Sequence, residues 1–149
     1  MRRAVILFLI IILVLSACGY GMKFTKSVPV VPSNVSSLKV TEIEDIKRVS
    51  RRGEYVGRGS FIRNVLINEL KKSKRFTIEE NSSYQLSVKI EDYSPSYHKY
   101  VALSATILDT SANQIIWNAS ISGLSKKTID EVTQNVIQEL VKDMLGKEK

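Results

Sequence analysis

Three consecutive runs of alternating polarity constrain most of what this chain can fold into. Tyr84, Leu86, Val88 and Ile90 alternate with polar residues through Tyr93. Val101, Leu103, Ala105 and Ile107 do the same, and Ile115, Trp117, Ala119 and Ile121 repeat the pattern. Successive side chains of a strand point to opposite faces, so each run carries one apolar face. Turn residues separate the runs, first Ser94-Pro95-Ser96 and then Asp109 to Asn113. Connections this short join antiparallel strands, and 101–108 with 115–122 read as a hairpin. The polar partners Ser104, Thr106, Asn118 and Ser120 predict that the opposite face is wetter.

The apolar face needs a cover, and two segments with helical period supply one. Ser60 offers an N-cap oxygen to a helix that runs to about Lys74, with Phe61, Ile62, Val65, Leu66 and Leu70 on one stripe. Lys71, Lys72, Lys74 and Arg75 crowd its C-terminal end, where cations suit the helix dipole, and read as a solvated helix end. Thr128-x-x-Glu131 fits a capping box for the last helix. Ile129, Val132, Val136, Ile137, Leu140, Val141 and Met144 form its stripe, and Gly146 is its stop. Leu38, Val40 and Ile43 predict a first strand, and Phe76 to Glu80 a short one before Asn81-Ser82-Ser83. The expected fold is α+β: a two-layer sandwich with two helices on one face of a four- to five-stranded, largely antiparallel or mixed sheet.

The N-terminus carries a different message. Met1-Arg2-Arg3 is a positive start, Ala4 to Val14 is apolar, and Leu15-Ser16-Ala17 leads into Cys18. Eleven apolar residues are too few to cross a ~30 Å hydrocarbon core, which takes roughly 20. The pattern reads as a cleaved signal peptide over 1–17. Leu-Ser-Ala-Cys resembles the bacterial lipobox, whose cysteine is acylated and becomes the new N-terminus. More than one acyl chain makes a stable anchor. Residues 18–37 then read as the lipidated cysteine and an extended lead, with two of the three prolines, and 38–149 as a single domain. Gly19 follows the tether where enteric inner-membrane lipoproteins tend to have Asp, which resembles an outer-membrane address.

Removing residues 1–17 from 149 leaves 132 residues, enough for one modest core. The two arginines leave with the signal, so the net charge falls from +7 to +5, a mild excess suited to anionic surfaces. Export argues against nucleic acid as a partner. Cys18 is the one cysteine and His98 the one histidine, so a lipidated chain has neither a disulfide nor a His/Cys metal cluster. Gly53, Gly57 and Gly59 lack the Lys-Ser/Thr end of a phosphate loop, and no Gly-x-Ser-x-Gly elbow is present. Glu91 and Asp92 adjoin on a strand and point to opposite faces, which does not suit a carboxylate pair. The expectation is a non-enzyme without metal or cofactor, apart from the covalent lipid on Cys18.

The hairpin suggests one binding site. Its open end brings Tyr100 near Ser122, and so Tyr97, His98 and Lys99 near Leu124, Lys126 and Lys127. The second segment leads into the last helix, whose free N–H groups attract anions. Lys99, His98, Lys126 and Lys127 are thus candidate contacts for an anionic amphiphile. The same lysines also read as an ordinary solvated sheet end. Arg48, Arg51, Arg52 and Arg58, in the basic loop 47–59, are weaker candidates: the guanidinium fork suits phosphate, yet such a loop needs no ligand.

Cys18-Gly19-Tyr20, the Pro-bearing lead and Ser37-Leu38-Lys39-Val40 resemble the start of the lipopolysaccharide-assembly lipoproteins (the LptE family). The helix Ile62 to Leu70, the hairpin from Tyr100 to Leu108 with its return strand, and the closing helix are similar in order and length. The basic loop 47–59 and Asn81-Ser82-Ser83 depart from that family's pattern. The resemblance implies an outer-membrane lipoprotein facing the periplasm or a barrel lumen. It would plug and partner a lipopolysaccharide-exporting β-barrel (LptD-like), touching lipopolysaccharide at Lys99 and Lys126/Lys127. Two other expectations stand beside it: a lipoprotein regulator of a peptidoglycan synthase, and a subunit of a ring-shaped secretion pore.

Overall fold

The computed structural model describes residues 21–26, 30–45 and 57–146. The signal segment 1–17, Cys18 and the loop arginines Arg48, Arg51 and Arg52 lie outside the described residues.

The three alternating runs become the long strands β4 (Tyr84–Ser94), β5 (Lys99–Asp109) and β6 (Gln114–Ser125). They pair antiparallel in sequence order. The remaining strands are β1 (Gly21–Lys26), β2 (Ser37–Val40) and β3 (Thr77–Ile78). Together they form one six-stranded sheet in the order β1-β6-β5-β4-β2-β3. β1 is antiparallel to β6, whereas β2 runs parallel to both β4 and β3. The sheet is therefore mixed, with two helices, α1 (Arg58–Ser73) and α2 (Ile129–Met144), packed on one face.

Alternation predicted the buried face except at Ile115, which is 54% exposed because the strand pairing shifts by one residue between Trp117 and Ile115. Leu86, Val88 and Ile90 on β4, Val101, Leu103, Ala105 and Ile107 on β5, and Trp117, Ala119 and Ile121 on β6 all point under the helices and are buried. Trp117, Leu103 and Ile107 are almost fully sealed, and burying such a side chain is worth about 1.5–3 kcal/mol each. Ser104, Thr106, Asn118 and Ser120 lie on the uncovered face.

Two boundaries differ from the sequence reading. The packed domain starts before residue 38, because Val31 and Val35 are in the core and β1 pairs along β6. Much of the expected lead is thus part of the domain, and it supplies the sixth strand. In addition, α1 starts at Arg58 rather than after Ser60. Its free N–H groups are met from outside the helix, by Asp45. The Gly57 N–H donates to Asp45 Oδ2 at 2.7 Å and the Gly59 N–H to Oδ1 at 2.5 Å.

The α1 stripe buries Ile62, Leu66 and Leu70, with Phe61 and Val65 partly covered. The helix ends at Lys74 in the left-handed region (φ 58°), whose N–H donates to Lys71 O. α2 has the Thr128 half of the expected capping box: the Glu131 N–H donates to Thr128 Oγ1 at 3.2 Å, while the Glu131 carboxylate takes Lys127. Gly146 follows with φ 66°, the conformation a helix stop requires.

Candidate functional site

One end of the sheet gathers most of the predicted site. β5 begins there with Lys99 and Tyr100, and β6 ends there with Leu124 and Ser125. The register pairs Lys99 with Ser125 and Tyr100 with Leu124, one residue further along than the Leu108–Ile115 pairing would give if continued without a bulge. An irregularity between Ile107 and Leu108 contributes to the offset.

The turn joining β4 to β5 presents Tyr97 and His98, their rings in an edge-to-face contact with centroids 4.9 Å apart. Lys126 Nζ lies 5.8 Å from the Tyr97 centroid, within cation–π range. Tyr97 is 73% exposed and Leu124 42%, unusual for large apolar side chains. Hydroxyls brace the turn: Ser94 and Ser96 share a hydrogen bond at 2.9 Å, and Ser96 Oγ donates to the His98 carbonyl. The Lys127 N–H donates to Ser125 Oγ.

The four candidate residues do not share one role. Lys99 and Lys126 take part in no ion pair among the described residues, so their charges are available. Lys127 is partly satisfied, since its Nζ lies 2.6 Å from Glu131 Oε1, one turn into α2. The N-terminus of α2 is also occupied by its own residues. Thr128 takes the Glu131 N–H, and the carboxylates of Asp130 and Glu131 fill the first turn. Negative side chains already complement the positive end of the dipole there. Two carboxylates in that turn make it a weak setting for a further anion, and leave the cations and aromatics of the tip as the stronger candidates.

Arg58 is not a loop cation. It opens α1, pairs with Asp130 Oδ1 at 2.6 Å, and places its guanidinium 5.8 Å from the Phe61 ring centroid and 5.5 Å from that of Tyr93. Those contacts join α1, α2 and β4. Its role is to hold the helices to the sheet end.

Among the described residues, no group of three or more His, Cys, Asp or Glu side chains comes together. The uncovered sheet face holds a shallow depression lined by Thr25, Ser104, Thr106, Asn118 and Ser120. Beside it, Glu91 accepts from Ser104 Oγ at 2.6 Å and pairs with Lys89 at 3.1 Å. The Ser104 hydrogen bond, and then Lys89, hold the Glu91 carboxyl below its ordinary range.

The sequence reading missed two features of the tip. Leu124 was placed near it but not singled out as exposed. β1 was missed as well: its register pairs Gly21 with Leu124, so the strand begins at this same end. Alternating Met22 and Phe24 were the available signal for β1.

No family model matches the chain and no curated protein matches it. Solved structures do. The fold is similar to that of a PelC dodecamer from Paraburkholderia phytofirmans, at 15% identity, with 85% of this chain and 98% of that one covered and a TM-score of 0.62. It is also similar to XCC0632 from Xanthomonas campestris, described with the family model DUF330, at 15% identity, 81% and 94% coverage and a TM-score of 0.60. These likenesses establish the fold. They also correct the resemblance to the lipopolysaccharide-assembly lipoproteins, because the neighbours point to a different family. Apart from the lipobox and its lead, the motifs behind that resemblance were patterns of burial, which any domain with this order of strands and helices shares.

Proposed function

We propose that this protein is a non-enzymatic, lipid-tethered component of a bacterial envelope membrane that acts as one subunit of a ring-shaped homo-oligomer. The observation that carries this reading is the similarity of the fold, over 85% of this chain, to the subunit of a dodecamer. The tether rests on Leu15-Ser16-Ala17-Cys18, and the outer membrane is the address that Gly19 suggests.

A closed ring needs a heterologous interface, in which two different patches of each subunit meet and the rotation closes. A sheet with helices on one face and an uncovered face on the other offers two such unlike surfaces. The barrel-partner reading has lost the resemblance that carried it. Nothing in the fold favours it, or a peptidoglycan-synthase regulator, over the ring.

The test is native mass spectrometry and negative-stain imaging of the mature protein in mild detergent. The expected result is a closed ring of identical subunits; a monomer at every concentration overturns the reading. Metabolic labelling with palmitate tests the tether independently. Incorporation into the parent and its loss in Cys18→Ala is the expected pair of results.

A further inference from the structure

The register of β1 limits where a lipid on Cys18 can lie. Gly21 sits opposite Leu124 at the tip, and Cys18 lies three residues upstream. A chain spans at most about 3.6 Å per residue, so Cys18 Cα is within about 11 Å of Gly21 whatever path the chain takes. A lipid on Cys18 therefore holds this end of the sheet, and no other, against the bilayer. The opposite end, at Thr110 to Asn113, is ten residues of β5 away, about 33 Å.

The side chains at the tethered end suit such a surface. Tyr97 and Leu124 are exposed, and Lys99 and Lys126 carry charges with no ion-pair partner among the described residues. Lys127 and His98 flank them. Aromatic and aliphatic groups settle at the head-group boundary, and lysines are drawn to anionic head groups. The same residues make a poor pocket: Tyr97 and Leu124 stand open to solvent, and the first turn of the adjoining helix carries Asp130 and Glu131.

We infer that this tip, Tyr97 and Leu124 with Lys99, Lys126 and Lys127, docks on a bilayer surface of anionic lipid, so that the domain stands end-on with its strands rising from the membrane. The inference rests on the lipid tether of the proposed function, and it adds an orientation and a lipid class.

The experiment uses the mature lipidated protein in vesicles with brominated acyl chains, either phosphatidylglycerol mixed with phosphatidylcholine or phosphatidylcholine alone. Tyr97→Trp reports on the tip and Ser111→Trp on the far turn. The native Trp117 is buried about 24 Å from Leu124 along β6 and provides the background. Expected is a blue shift and quenching at position 97 in the anionic vesicles, with none at 111. Lys99→Ser with Lys126→Ser should shift the docked ratio by about 25-fold, roughly fivefold per lysine near an anionic surface.

Quenching that is absent at 97, or equal at 97 and 111, overturns the docking. Equal quenching at 97 in both vesicle types overturns anionic lipid as the partner. The mass of the N-terminal peptide reads the tether separately. Unmodified Cys18 overturns the anchoring itself, a result distinct from a lipidated protein whose tip stays in water.

Discussion

Arg75 lies one residue beyond the Lys74 cap, in a run of cations that looks like a solvated helix end. Its guanidinium instead reaches across the molecule. Nη1 donates to Met144 O at 3.0 Å, and Nη2 to Val31 O at 2.6 Å and Pro32 O at 3.1 Å. One side chain thus ties the C-terminus of α2 to the segment before β2, and it lies over the Phe76 ring at 4.9 Å. Charged donors to backbone carbonyls are worth about 1.5–3 kcal/mol each, so Arg75→Ala should cost about 2–3 kcal/mol in urea unfolding. Lys cannot span three carbonyls, so Arg75→Lys should recover only part of the loss; full recovery would assign the effect to charge alone. Glu91 allows a gentler test. Its folded carboxyl titrates below the unfolded value of about 4.3, mainly through Ser104 and then Lys89. A depressed carboxyl contributes stability that is present above that unfolded value and lost as pH falls through the folded one. Because Glu91 is 42% exposed, solvent keeps that contribution small. Ser104→Ala should raise the Glu91 midpoint in a carbon-detected NMR titration, and an unchanged midpoint would remove the hydroxyl as the main cause.

At the scale of elements, what the sequence revealed depends on how local the cause is. β4, β5, β6 and α2 were legible because burying one face imprints a period on consecutive residues. The start of α1 was not, since its cap is Asp45, twelve residues before Gly57, and no local pattern links the two. Gly59 belongs to the same arrangement. A Cβ there would stand 1.9 Å from the Ile43 carbonyl oxygen, a backbone atom that cannot step aside cheaply. In an open helix, Gly→Ala gains about 1 kcal/mol from propensity. Here the clash should reverse the sign, with Gly59→Ala destabilising by about 1–3 kcal/mol as overpacked sites do. A gain in melting temperature would show that the loop before α1 yields. The candidate site followed the same rule. Lys99 and Lys126 were placed together by hairpin logic, whereas the carboxylates of the first turn of α2 take cations from elsewhere, Asp130 from Arg58 on α1 and Glu131 from Lys127 before the helix. Arg58 was misread because its partners, Asp130, Phe61 and Tyr93, come from three separate elements.

For the whole molecule, the strand order assigns unequal duties. β5 lies between β6 and β4, bears on α2 through its buried face, and cannot open without dismantling the core. β1 and β3 are edges, each held by one neighbour. Edge strands open by local fluctuations that cost less than global unfolding. Hydrogen exchange in detergent should therefore rank the amides of Leu103 and Ala105 slowest, with those of β1 and of Thr77 and Ile78 markedly faster. The ranking bears on the proposed function because β1 would link a lipid on Cys18 to the domain. A strand that peels readily in detergent but is held when the tip rests on lipid should exchange more slowly in anionic vesicles, while β3, at the other edge, stays unchanged. Slowing at both edges alike would indicate a general stabilisation of the domain. Slowing confined to β1 ties its pairing with β6 to the membrane contact, and makes that edge the joint through which the bilayer orients the fold.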